Sequence, residues 1–424
     1  MPALRFSLST VFMVCIAVPT LRAEESSSEA ATTKSPGFVQ FCRDPACLGC
    51  RTFLASHGPS CSCENARAGA GGEGTAPDGA GIAAAEEAAL GEELVGNEEY
   101  GTGYGYLSSA PNMIGDFFGG GFAINTVFNS GRGSTIPIAG GDRRFKISEN
   151  MSPIPRDRLY FSFNSFQNAV VTAGEQEINL NRYTFGAEKA FADGLGSFEI
   201  RLPFAAGLSA NQTDDGNALN DDGTEFGNVT LVPKVALLSR DWFLLSTGVG
   251  LNFPTAKDGT FDTTTIENDA FHLMPFLGIL VLPSDLSYVI GFVQADFDAN
   301  GYTVRDNGTL IGRLQDQNLL HLDLTIGRWI YRDETGRLTG IAPQIELHYS
   351  TTMQDADAVG QFSPNPIFNN YNRMDSLALT CGINFQFFNL STLTVGGVAP
   401  LRGANDVGDR QYDAELQVMF NRGF

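Results

Sequence analysis

The stretch SFEIRLPFAAGL (Ser197–Leu208) decides how this chain is read. Phe198, Ile200, Leu202, Phe204, Ala206 and Leu208 fall on one phase of a period-two pattern. Glu199, Arg201, Pro203, Ala205 and Gly207 fall on the other. Side chains of a β-strand alternate between its two faces, so one face of this segment is oily and the other carries ionised groups.

The same texture continues on both sides, from Arg158 to Phe424. Ser376–Phe387 sets Leu377, Leu379, Cys381, Ile383, Phe385 and Phe387 against Ala378, Thr380, Gly382, Asn384 and Gln386. Twelve such segments lie near 158–166, 182–191, 197–208, 227–239, 242–254, 272–283, 286–298, 319–332, 338–351, 376–388, 391–401 and 413–424. Most are roughly 10–13 residues long, enough for a tilted strand to cross a bilayer. Those at 272–283 and 286–298 are apolar on both faces, which leaves their phase open.

The connections sort into two kinds. Those at 192–196, 240–241, 284–285, 333–337 and 389–390 are short, and those at 167–181, 209–226, 255–271, 299–318, 352–375 and 402–412 are long and polar. Short turns on one side and long loops on the other mark an up-and-down antiparallel transmembrane β-barrel, with about 12 strands here. An even count puts both ends of the barrel on the short-turn side. Soluble sheets also alternate, but their turns need not sort by side.

Composition narrows the function classes. The chain has 424 residues and a formal charge of −21, a field that repels nucleic acid. Beyond the first 23 residues no run of 18 apolar residues occurs, which argues against a bundle of membrane-spanning helices. No Walker or dinucleotide glycine motif sits between a strand and a helix, so no cofactor is expected.

Before the barrel the texture differs. Residues 1–23 read as a secretory signal peptide, with Arg5 ahead of the apolar run Phe6–Leu21. Residues 24–107 read as a low-complexity, mostly disordered periplasmic extension. It carries Cys42, Cys47, Cys50, Cys61 and Cys63, an odd number that suits two disulfides and a spare thiol, or a metal with His57. Ile82–Val95 is compatible with one short helix. Residues 108–157, rich in Gly and Phe near 117–122, read as an insert that either plugs the barrel or pads its periplasmic end.

At the C-terminus Leu416, Val418, Phe420 and Phe424 share one phase and the chain ends on an aromatic residue. This resembles the terminal strand of bacterial outer-membrane barrels, in which Phe420 and Phe424 would be read by the barrel assembly machinery. Arg422 departs from that pattern and is expected to snorkel at the headgroups. Over 158–424 the arrangement is similar to the outer-membrane transporter-like barrels associated with aromatic-compound (phenol) degradation, at the level of architecture.

The inward phase supplies the candidate lumen-lining residues Arg158, Glu188, Glu199, Arg201, Lys234, His321, Asp323, Glu346, His348 and Glu415. Either they line a polar conduit or they neutralise one another in a filled lumen. His348-Tyr349-Ser350 has the His-x-Ser spacing of outer-membrane phospholipases, but Thr351-Thr352 replaces the Asn-Gly that follows there. A structural His is the better reading, and no enzyme activity is expected. The functional expectation is a porin or transporter passing small solutes through a polar lumen. A structural or adhesive surface barrel with a closed lumen is the alternative, and a lipid hydrolase a distant third. The expected partners are outer-membrane lipid, the assembly machinery and a small solute.

Overall fold

The computed structural model describes residues 109–117, 122–124, 134–136, 143–171, 177–206, 211–212, 224–333, 335–359, 367–369, 373–402 and 410–424. The signal peptide, the cysteine cluster and the Ile82–Val95 helix expected above lie outside the described residues. Twelve long strands follow one another: β1 (Arg158–Val171), β2 (Glu177–Phe191), β3 (Gly196–Ala206), β4 (Val229–Arg240), β5 (Phe243–Phe253) and β6 (His272–Ser284). They continue with β7 (Ser287–Asp298), β8 (Asn318–Arg328), β9 (Leu338–Gln354), β10 (Asp375–Phe387), β11 (Ser391–Pro400) and β12 (Ala414–Gly423). Each pairs antiparallel with the next, and β12 pairs with β1 from Ala414↔Gln167 to Gly423↔Arg158, so the sheet closes into a barrel without free edges. No helix among the described residues is long and apolar enough to cross a membrane, which says nothing about crossing by strands.

The barrel is built inside out relative to a soluble protein. In β3, Phe198 is 60% exposed and Ile200 38%, whereas their neighbours Glu199 and Arg201 are each 2% exposed. Leu277, Val293, Leu324, Ile326, Ile345, Leu347, Val395 and Phe420 extend the outward apolar face around the barrel. Such a belt is stable only against an apolar medium, and the closed ladder leaves no strand edge to hydrogen-bond there.

The two strands of ambiguous phase, β6 and β7, bury Met274, Phe276, Leu280, Ile290 and Phe292 on their inner face. The lumen is therefore not polar all round: this stretch of two strands is oily.

On the long-loop side short strands extend the fold beyond the barrel. Asn211–Gln212, Gly259–Phe261, Thr264–Glu267, Tyr302–Asp306 and Thr309–Leu314 form one small sheet, and Phe122–Ile124, Ser134–Ile136, Ala358–Val359 and Ile367–Asn369 form another. Phe261, Ile266, Tyr302, Val304, Leu314, Val359 and Ile367 give this side its own apolar core. Ile136 joins that core, so the chain preceding β1 reaches the loop side of the barrel.

Candidate functional site: the occupied lumen

All ten lumen-lining candidates face the barrel interior and are at most 5% exposed. They fall into separate groups. The first spans β1 to β4. Strand register places Arg158 opposite Glu188, and Glu188 opposite Glu199. Two carboxylates facing one another across strands repel, and the neighbouring cations offset this. Arg158 Nε lies 2.7 Å from Glu188 Oε2 and its Nη2 lies 3.0 Å from Glu199 Oε2. Lys234 Nζ is 2.9 Å from Glu188 Oε1, and Arg201 Nε is 2.6 Å from Glu199 Oε1.

Tyr160 completes this group. Its hydroxyl donates to Glu199 Oε1 at 2.7 Å, two strands away. The ring gets there by lying across Gly186, where a Cβ would sit only 2.0 Å from Tyr160 Cζ. The device recurs on the far wall. Tyr288 of β7 lies across Gly327 of β8 and donates to Gln344 Oε1 of β9 at 2.7 Å.

The second group is built jointly by wall and insert. Residues 109–117 and 143–157 run inside the barrel. Lys146 Nζ lies 2.6 Å from Asp116 Oδ1 and 2.7 Å from Asp323 Oδ1. His348 bridges Asp323 (Nδ1, 2.7 Å) and Glu346 (Nε2, 3.1 Å). Glu346 in turn accepts the backbone N–H groups of Ile114 and Gly115, each at 2.8 Å. Nearer the loops, Arg144 Nε donates to Asp296 Oδ2 at 2.9 Å, Arg143 pairs with Asp316, and His272 Nδ1 lies 3.0 Å from Asp296 Oδ1. Toward β2 the polarity reverses: the insert's Glu149 pairs with Arg182 at 2.8 Å.

Apolar contacts reinforce these. Met113, Phe145, Ile147, Met151 and Ile154 of the insert pack with Val232, Leu244, Met274, Phe276 and Phe292 of the wall. The Arg201 guanidinium stacks 3.8 Å from the centroid of Phe145. Ile114 seats on Gly382 and Gly396, paired on β10 and β11; a Cβ at Gly382 would meet Ile114 Cδ1 at 2.3 Å. A void among Ile114, Phe145, Glu149, Arg201 and Gln417 measures about 10 Å³, room for roughly one water.

The remaining candidates sit apart. Glu415 accepts from Asn164 Nδ2 at 2.8 Å. His321 Nδ1 lies 2.7 Å from Ser350 Oγ, and its ring packs edge-on against Phe117. Ser350 thus pairs with His321 and not with His348, and at 2% exposure it faces the lumen, away from lipid. The His-x-Ser spacing therefore does not assemble the pair suggested by phospholipases.

Among the described residues, two clusters have ligand types a metal would accept: Asp116, Asp323 and His348, and His272, Asp298 and Asp316. Lys146 already lies on the first and Arg143 on the second. Both are ion-pair clusters completed by side-chain cations. Outside, Phe424 lies under Lys189, whose Nζ is 5.2 Å from the ring centroid, and Arg422 donates to Ser391 Oγ at 2.9 Å.

Asp296, Arg182, Asp116 and Glu149 carry the site as much as the candidates do. Arg182 was accessible from its phase in β2, and Asp296 was hidden in an oily strand.

The barrel is similar to a solved outer-membrane channel from Pseudomonas putida F1, at 13% identity over 63% of this chain and 96% of that one, with a TM-score of 0.44. It is similar to the NanC porin at 8% identity, over 63% and 100% of the two chains, with a TM-score of 0.39. The β domain of the Bordetella autotransporter Brka shows 12% identity, over 63% and 99%, with a TM-score of 0.39. No family model and no curated protein matches the chain.

Proposed function

We propose that the chain is an outer-membrane channel for small solutes, closed by residues 109–117 and 143–157 in the conformation described. The oily belt suits the bilayer, and the 24–107 extension belongs to the periplasmic, short-turn side, with Phe420 and Phe424 as the assembly signal. One observation carries the channel reading. The barrel encloses a cross-section wide enough for two passes of polypeptide, and most of its wall is polar: β1 to β4 and β8 to β12 present Arg, Glu, Asn, Gln and Thr side chains inward. Withdrawal of the insert leaves a hydrophilic passage with an oily strip along β6 and β7.

The closed structural or adhesive barrel remains the second reading, favoured by how fully the insert is paired. Planar-bilayer recording separates the two. The chain should be nearly silent, and a Lys146→Gln, Arg144→Gln variant that still shows the heat-modifiable gel shift of a folded barrel should give discrete current steps. A folded variant without current supports the closed barrel.

A further inference from the structure

We infer that the passage selects small cations, with ammonium- or guanidinium-bearing solutes as its cargo class; this rests on the channel reading above. The insert itself indicates the chemistry. Three of its side chains, Arg143, Arg144 and Lys146, seat on Asp316, in the loop leading into β8, and on the wall carboxylates Asp296 and Asp323. Two guanidinium groups and one ammonium group thus occupy these carboxylates, as a solute bearing those groups would.

The wall lacks cations of its own to replace them. Among the described residues, Asp296 and Asp323 have ion-pair partners in the wall only in His272 and His348. The four buried wall cations, Arg158, Arg182, Arg201 and Lys234, all lie on β1 to β4. Over the twelve strands these four stand against seven buried carboxylates and three histidines, so with the imidazoles neutral the emptied wall is net acidic. A second, independent feature points the same way. Asp323 is 5% exposed, and its Oδ2 takes no hydrogen bond while Oδ1 holds both Lys146 and His348. An acceptor aimed into the lumen is thus left for a donor from a passing group.

Acidic walls of a narrow passage raise the local concentration of cations and exclude anions. The cation need not outbind the insert permanently. It needs only to take over one carboxylate at a time as the insert gives it up.

The test is the reversal potential under a potassium chloride gradient, recorded on Lys146→Gln, Arg144→Gln barrels in a neutral-lipid bilayer. If that double variant shows no gel shift, the single Lys146→Gln serves. Potassium should be several-fold more permeant than chloride, and adding Asp296→Asn and Asp323→Asn should remove most of that preference. Methylammonium and guanidinium should carry current in place of potassium. Open channels that favour chloride, or whose preference ignores the two Asp substitutions, overturn the cation inference and leave the channel reading standing. Folded barrels with no current in either variant remove both.

Discussion

The two sides of the lumen solve the same problem differently. On β1 to β4 the wall satisfies its own carboxylates: Glu188 and Glu199 are held by Arg158, Lys234 and Arg201, all from the strands, and only Arg182 turns to the insert's Glu149. On β7 to β9 the wall is incomplete, and Asp296 and Asp323 find their cations on the inserted segment. A charge placed in a low-dielectric interior is tolerated only when paired. The first side is therefore part of barrel stability, whereas the second makes stability conditional on the insert.

The largest effect should come from breaking the first side. Glu188→Ala leaves Arg158 and Lys234 without their shared partner and should cost about 3–5 kcal/mol in urea unfolding from lipid vesicles, with conductance still low. A loss near zero would mean that water already screens this belt. Next, Gly382→Val fills the seat of Ile114 and should cost about 1–3 kcal/mol as overpacking. Its signature is selective: residues 109–117 become accessible to protease while the barrel still shifts on a gel. Barrel unfolding without prior cleavage would make insert and wall a single cooperative unit.

Tyr288→Phe removes the hydroxyl that crosses Gly327 to Gln344 and should lower unfolding free energy by about 0.5–1.5 kcal/mol. The matched Tyr160→Phe should cost more, because its hydroxyl serves a carboxylate. Equal costs would erase the distinction between the sides. The smallest effect belongs to the turn after β8. The Thr335 hydroxyl and backbone N–H donate to Asp333 at 2.7 and 2.9 Å and hold its carboxyl below the ordinary range. A depressed folded value stabilises above the unfolded one and is lost as pH falls through the folded one. Asp333→Ala should therefore lower the melting midpoint slightly at neutral pH and not at all in strong acid.

The same contrast explains what could be read without coordinates. Strand β3 was legible because Glu199 and Arg201 alternate with Phe198 and Ile200, and the polar phase marks the inside unambiguously. The site on β1 to β4 was legible for that reason, since it lies wholly within strands. Strands β6 and β7 gave no phase because Phe276 and Phe292 face an oily insert while Leu277 and Val293 face outward. The burial of 143–157 has no periodic signature at all: Arg143, Arg144, Lys146 and Glu149 follow an irregular path set by their partners. Apart from the Gly- and Phe-rich texture near 117–122, an oily inner face on two adjacent strands was the available hint that something inside must cover it.

The insert's route has a topological consequence. It enters beside Ala110, whose carbonyl accepts from Arg156 at 3.4 Å, reaches the loop-side sheets through 122–124 and 134–136, and returns to Arg158 where β1 begins. Both legs thus share one mouth of a ring that the hydrogen-bonded β12–β1 seam closes. Such a doubled strand behaves as a bolt and not as a thread: it can slide out with the ring shut, and no chain end has to be pulled through.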